Sequence, residues 1–276
     1  MLSYVPLLIR PSQMSGTLSG SLPHSMTFRL PTIGPTIPQL RVLDLFCGEG
    51  GAGWGYHRAG FDVLGVDNNS ARLSHYPLPH IQGDALQFLA EHGHEFDFIH
   101  ASPPCQGYSR GTIYQPRRLE RYDRLIAATR DLLIETGKPW VIENVMGAKS
   151  ELQSPFMLCG RMFYLTATDT DGTRLVLDRH RLFETSPQIT IIPPFHYKHD
   201  TSVQVAGVYG GARRDKVEAR TVRKGGYVPA DPSVLRALIG AEWMTIQGLF
   251  LSIPPAYTSY IAQQLTNQGL GSSLKA

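Results

Sequence analysis

The sequence is short of charge and of cysteine, and it has no long apolar run. No stretch approaches the roughly 18 uninterrupted apolar residues that span a bilayer, which excludes an integral helical membrane protein and predicts a cytoplasmic one. The three cysteines, Cys47, Cys105 and Cys159, are odd in number and widely spaced. That excludes a disulfide framework, fits a reducing compartment and leaves each thiol available for chemistry. A net charge of only +3 excludes a bulk polyanion-coating role, so any nucleic-acid surface must arise from local clustering. Residues 1–40 contain no Asp, Glu or Lys and only two arginines, amid Ser, Thr, Pro and Gly. Such a composition buries little surface and predicts a disordered leader. An over-extended start, with Met14 or Met26 as the true beginning, and a weak transit-peptide signal are the other readings of this stretch.

What remains is ample for a core: 42% of 276 residues are hydrophobic, enough for one large domain with a small appendage. From Arg41 onward short apolar strands alternate with helical stretches. Strands are predicted at Val42–Phe46, Phe61–Val66, His80–Gln82, Phe96–Ala101 and Trp140–Ile142. Helices are predicted at Gly51–Ala59, closed by Gly60, and from about Tyr122 to Glu135, ended by Gly137 and Pro139. This alternation predicts an α/β fold, a doubly wound and mostly parallel sheet. Ligands in such sheets bind beyond the C-terminal strand ends.

Three motifs fall there. The first is Val42-Leu-Asp-Leu-Phe46-Cys-Gly48-Glu-Gly50-Gly-Ala-Gly53. Gly48, Gly50 and Gly53 satisfy the dinucleotide pattern, and Asp67 lies nineteen residues past Gly48, where a ribose-binding acid belongs. Asp44 tilts this motif away from NAD or FAD, because a carboxylate in the strand suits a cationic ligand end rather than a pyrophosphate. S-adenosylmethionine, with its ammonium and sulfonium, fits; a dinucleotide or a purely structural turn are the alternatives. The second motif is Ala101-Ser-Pro-Pro104-Cys105-Gln106-Gly-Tyr-Ser109, whose two prolines direct the chain at a strand end and present Cys105 in a loop. A nucleophilic role requires the thiolate, hence a nearby cation or helix N-terminus. The alternative is a small packing residue. The third is Trp140-Val-Ile-Glu143-Asn144-Val145, a strand ending in a carboxylate at the sheet edge that carries Cys105. Glu143 is either a cap or an acid with an environment-tuned pKa.

Asp-Leu-Phe-Cys-Gly-Glu-Gly-Gly, Gly65-Val-Asp67, Gly83-Asp84-Ala85, Pro-Pro-Cys-Gln and Glu-Asn-Val, in this order, resemble the DNA cytosine-5 methyltransferase family. The resemblance runs from about Arg41 to Arg181 and resumes near Ile253-Pro-Pro-Ala-Tyr-Thr258. It implies a Rossmann-like, S-adenosyl-L-methionine-dependent enzyme in which Cys105 adds to cytosine C6 and Glu143 holds and protonates N3. The Arg179-His180-Arg181 stretch is similar to the family's paired arginines. Arg181 is implied at the cytosine O2, and both arginines are expected to lower the Cys105 pKa. For the cofactor, the resemblance implies Phe46 on the adenine, Asp67 on the ribose, Asp84 on the adenine amino group and Leu125 lining the pocket. Asp44, Gly48, Gly50, Asn68 and Ala85 complete that set. Gln106 and Ser109 are assigned to the nucleic acid, and no metal is expected.

Two departures stand out. Leu177 occupies a position where the family usually has Gln, and Leu251 one where it has Asn. The stretch that should hold target recognition, Thr185 to Leu235, is short, so the expected organisation is a leader (1–40), a catalytic domain (41–184), a recognition segment (185–235) and a returning C-terminal part (236–276). Within the recognition segment Arg213, Arg214, Lys216, Arg220, Arg223 and Lys224 lie between two Gly-Gly pairs, against Asp215 and Glu218. Such a run suits phosphate contact, or is a solvated loop. Ser109–Arg124 is likewise basic, with five arginines against two acids. DNA is the expected partner, with a cognate restriction endonuclease as a possible companion. Free deoxycytidine nucleotide or RNA is the alternative substrate, although the RNA-directed branch's Cys-Phe-Thr is absent. A catalytically silent DNA-binding protein is the alternative of another class.

Overall fold

The computed structural model describes residues 39–109, 122–208, 227–229 and 231–270. The leader, the basic stretch from Arg110 to Arg121 and the basic run from Arg213 to Lys224 lie outside these residues. No helix among the described residues is long and apolar enough to cross a membrane.

The chain begins as the alternation requires: β1 (Arg41–Leu45), α1 (Gly51–Arg58), β2 (Asp62–Asp67), α2 (Ser70–Leu73), β3 (His80–Gln82), α3 (Ala85–His92), β4 (Phe98–Ala101), α4 (Ile126–Glu135) and β5 (Trp140–Asn144). Then follow β6 (Phe156–Leu158), β7 (Thr166–Thr168), β8 (Arg174–Val176), β9 (Arg181–Thr185) and β10 (Gln204–Val205), and three helices, α5 (Pro232–Ile239), α6 (Ile246–Leu251) and α7 (Pro255–Asn267). The main sheet has the order β3-β2-β1-β4-β5-β9-β6. The five strands from β3 to β5 are parallel, and β9 runs antiparallel to both β5 and β6. After β3 the chain crosses to the far side of β1 to lay down β4. The C-terminal ends of β1 and β4 are therefore the topological switch point, where a crevice opens.

Both faces of the sheet are covered, so its strands read as apolar runs rather than as alternations. Val42, Val63, Phe98 and Val141 meet Tyr56, Tyr257 and Ile261 on one side; Leu43, Leu45, Ile99 and Ile142 meet Leu89, Ile126 and Leu133 on the other. The close seat of α7 on α1 depends on Gly55, where a Cβ would stand 1.9 Å from Thr258 Oγ1 and 2.2 Å from the Pro255 carbonyl. Thr258 and Ser259 donate hydroxyl bonds to the Ala52 and Gly55 carbonyls at 2.8 and 2.9 Å. The last helix is thereby fixed to the first.

A second core joins Leu175, Leu177, Ala206, Val208 and Tyr227 to Leu235, Leu238, Ile239, Met244 and Leu249. It is built around the three-stranded sheet β10-β8-β7 and draws on residues before 185 and after 235. Two sequence expectations are corrected. Helix α4 starts at Ile126 rather than Tyr122, because Arg124 pairs with Glu151 at 2.7 Å and lies over the Tyr108 ring. Helix α3 is additional: Asp84 accepts from Leu86 and Gln87 N–H groups, both at 2.9 Å, as its N-cap.

Candidate active site

The ends of β1, β4 and β5 open into one cleft of about 280 Å³. Its walls include Asp44, Phe46, Gly48, Asp67, Asn68, Asp84, Ala85, Cys105, Gln106, Leu125, Glu143 and Arg181, all singled out in the sequence. Three others are placed elsewhere. Gly50 is at φ 93, a left-handed conformation that favours glycine, and a Cβ there would stand 2.9 Å from Pro77 Cδ; it is not among the cleft walls. Arg179 is buried, and its guanidinium bonds the carbonyls of Ser252 and Phe250, each at 2.7 Å, and of Val208. It braces the cleft without lining it. Ser109 closes the loop after Cys105 and is not among the cleft walls. Arg213, Arg214, Lys216, Arg220, Arg223 and Lys224 lie outside the described residues.

At one end of the cleft is a carboxylate-rich cradle. Asp44 is fully buried, and its Oδ2 accepts from Gly53 N at 2.9 Å and from the Tyr76 hydroxyl at 3.1 Å. Its Oδ1 has no hydrogen-bond partner. Burial, the largest influence, pushes its pKa up to about 7, against the lowering effect of those two bonds. A buried oxygen with no partner beside a cleft is a demand for a donor or a cation. Phe46 follows at φ 57, a left-handed conformation unusual for an aromatic residue. Asp67 holds the turn, its Oδ2 accepting from Gly48 N at 2.9 Å and its Oδ1 from Asn69 N at 2.8 Å. The cap of α3 uses only Oδ1 of Asp84. An adenosine sulfonium bearing an ammonium fits this set: an unpartnered acid, an aromatic face and acids beyond it.

At the other end stand Cys105, Glu143 and Arg181. Arg181 Nε pairs with Glu143 Oε1 at 3.0 Å, both side chains largely buried. Burial raises the pKa of Glu143 above the usual carboxylate range, opposed by Arg181 and by a hydrogen bond from Ser102. Cys105 differs from the sequence expectation of a lowered pKa. Arg181 and, more weakly, Arg179 do lower it, but burial and the adjacent Glu143 raise it more. The resting residue is therefore a thiol.

A buried relay that the motifs did not predict stands behind Glu143. The Tyr56 hydroxyl meets His100 Nδ1 at 3.0 Å, His100 Nε2 meets Ser102 Oγ at 3.0 Å, and Ser102 bonds Glu143. Burial pushes His100 down to about 3, so it is neutral, with one nitrogen donating and the other accepting. If Tyr56 donates to Nδ1, then Nε2–H donates to Ser102 and the Ser102 proton points at Glu143. Glu49 was also missed. It accepts from Thr245 N at 2.7 Å and Thr245 Oγ1 at 2.6 Å, tying the glycine turn to the segment before α6. An acid inside a glycine motif was the available signal.

Residues 40–155 match the family described as C-5 cytosine-specific DNA methylase. Over this stretch, less than half of its length, the chain is similar to the cytosine-5 DNA methyltransferase family. It is 29% identical over 127 residues to the type II methyltransferase M.AgeI of Thalassovita gelatinovora, covering 40% of this chain and 29% of that protein. It is 26% identical over 163 residues to the type II methyltransferase M.NgoPII of Neisseria gonorrhoeae, covering 54% and 48%. These matches thus span less than half the length of either relative. In fold, the chain is similar to the Schizosaccharomyces pombe Dnmt2 methyltransferase, with a TM-score of 0.51 and 13% identity, over 83% of this chain and 99% of that one. The parallel sheet and the cleft at its switch point agree with the Rossmann-like fold of that methyltransferase.

Proposed function

We propose that this chain transfers a methyl group from S-adenosyl-L-methionine to C5 of cytosine in DNA through a covalent Cys105–C6 adduct. The observation that carries the reading is the convergence of Cys105, Glu143 and Arg181 on the cleft whose far end holds Asp44, Phe46, Asp67 and Asp84. S-adenosylmethionine supplies an electrophilic methyl group when bound, held with its cationic end toward Asp44, its ribose toward Asp67 and its adenine against Phe46 and Leu125.

The chain's own groups do the rest. C6 of a stacked cytosine is out of reach, so the base is extruded into the cleft. Cys105 gives up its proton to solvent and the resulting thiolate bonds C6. The C5–C6 π electrons move through the ring as Glu143, whose pKa burial raises, holds N3 and passes a proton to it. Arg181 holds Glu143 and stabilises charge at O2. After C5 is methylated, a base removes the C5 proton, the C6–S bond breaks to return the thiolate, and N3 gives its proton back to Glu143. The tuned pair is a buried acid poised to donate and a thiol that ionises only as charge is compensated.

Residues 41–184 form the catalytic part in this reading, 185–235 the recognition segment and 236–276 the return, with residues 1–40 as a leader. Gln106 and Ser109 face the nucleic acid, and Arg213, Arg214, Lys216, Arg220, Arg223 and Lys224 contact its phosphates. The type II names of the relatives suggest a restriction system with a cognate endonuclease. Labelled S-adenosylmethionine incubated with duplex DNA, tRNA and dCMP in parallel is expected to label the duplex alone. A duplex containing 5-fluorocytosine should trap the chain covalently. Label in tRNA or dCMP but not in the duplex would overturn the substrate.

A further inference from the structure

At the start of β9, beside Arg181, four side chains converge from three separate stretches. Cys159 follows the edge strand β6, His180 sits between Arg179 and Arg181, and His196 and His199 come from residues 186–203, which contain no helix or strand. Their potential ligand atoms all lie within 4.8 Å of one another. Cys159 Sγ is 3.5 Å from His199 Nε2, and His199 Nε2 is 2.8 Å from His196 Nε2. With Zn–S near 2.3 Å and Zn–N near 2.0–2.1 Å, the edges of an N3S zinc tetrahedron measure about 3.3–3.6 Å, so the closest pair must open by roughly 0.5 Å and the widest close by roughly 1–1.5 Å, within reach of side-chain rotation.

We propose that Cys159, His180, His196 and His199 form a closed structural site for one zinc ion. The outer groups are those a metal site needs. His199 Nδ1 meets Asp178 Oδ2 at 2.9 Å, which places the proton on Nδ1 and the lone pair of Nε2 toward the cluster. Asp178 is itself held by the Arg161 guanidinium, which also bonds the Asp200 carbonyl at 3.1 Å. A ring nitrogen of His180 bonds the Asp178 backbone. Asp178 thus orients two of the three imidazoles, His199 through its carboxylate and His180 through its backbone. Cys159 is buried and is a thiol in the metal-free chain, so binding releases its proton as the sulfur–zinc bond forms. Four protein ligands of mixed nitrogen and sulfur type leave no open position, which marks the site as structural and favours zinc over harder cations.

The consequence is mechanical. The ion would pin an irregular segment to the edge of the sheet. It would also fix His180, whose carbonyl accepts from Arg181 Nη1 at 2.9 Å. The sequence expectation of no metal is replaced by this reading; His196-Tyr-Lys-His199 was the legible half of the signal. The full chain, purified without a polyhistidine tag, is expected to retain about one zinc per chain by plasma mass spectrometry. Cobalt(II) exchange should give tetrahedral visible bands and a near-ultraviolet thiolate-to-metal band, and Cys159→Ser should abolish the second. The double variant His196→Ala/His199→Ala should hold less than about a tenth of the metal. A folded wild-type chain that takes up neither ion at micromolar concentration would overturn the proposal without any variant. So would a stoichiometric metal whose cobalt spectrum is unchanged by Cys159→Ser.

Discussion

Asp44→Asn isolates the charge at the buried end of the cleft while preserving its shape. The amide oxygen can accept the Gly53 N–H and the Tyr76 hydroxyl, as Oδ2 now does, and the amide nitrogen takes the place of the unpartnered Oδ1. Burial raises the wild-type carboxyl from 3.8 to about 7, and at 1.36 kcal/mol per unit this is on the order of 4 kcal/mol against the charged form. The folded pKa lies above the unfolded one, so the corresponding stability is fully present below about pH 4 and is lost as pH rises through about 7. In the absence of cofactor, Asp44→Asn should therefore be the more stable chain at pH 8, by up to ~4 kcal/mol in denaturant titration. Cofactor binding should run the other way. A cation at Oδ1 recovers part of that penalty, so the variant should bind S-adenosylmethionine more weakly by ~2–3 kcal/mol, roughly 30- to 150-fold. Wild-type affinity by calorimetry should rise toward tenfold per unit between about pH 5.5 and 7 and then flatten, and the variant should lack that slope. A variant affinity within threefold of wild type, or matching pH profiles, would refute the placement of the cationic end at Asp44.

Cys105→Ser should abolish transfer, leaving less than roughly a hundredth of wild-type turnover because an alcohol is barely ionised at neutral pH; cofactor affinity should stay within a few-fold. Asp67→Ala should weaken the cofactor by about 1–3 kcal/mol, since both the ribose acceptor and the anchor of Gly48 are lost; unchanged calorimetric affinity would remove Asp67 from the site. Glu184→Gln leaves Arg130 without its buried partner, bonded now at 2.7 Å between Nη2 and Oε2. Thermal and denaturant melts should show a loss of about 3–5 kcal/mol. Neutralising Arg213 and Arg214 together should weaken binding to all DNA sequences and flatten the salt slope by up to about two units; affinity indifferent to salt would exclude phosphate contact by this run.

The sheet was legible because glycine and proline punctuate it. Gly48 and Gly50 end β1, Pro103 and Pro104 end β4, and Gly137 and Pro139 separate α4 from β5. The cleft followed, since strand ends at a switch point converge whatever the details of packing. What escaped depended on long-range contacts. Asp84, read as a ligand for adenine, is also the N-cap that begins α3. Of the four residues before Ile126, Arg124 is drawn into a tertiary ion pair with Glu151. His100 looks like any strand residue, and only the approach of Tyr56 and Ser102 gives it a direction.

The paired arginines show why residue type alone did not assign roles. Both are buried, and a buried guanidinium must satisfy its donors somewhere. Arg181 finds a carboxylate, so its charge is matched and stays at the reacting end of the cleft. Arg179 finds three carbonyls from two distant stretches, Val208 on one side and Phe250 and Ser252 on the other. Its cation is solvated by backbone dipoles, and it acts as a tie between the small core and the sheet. The Tyr257 hydroxyl bonds the Arg179 carbonyl at 2.6 Å, so α7 holds the same residue from its backbone. Together with the Glu49–Thr245 bonds at the glycine turn, these contacts make the C-terminal part a wall of the cleft, where Gly248, Leu251, Ser252 and Ile253 stand opposite the carboxylates of the parallel strands.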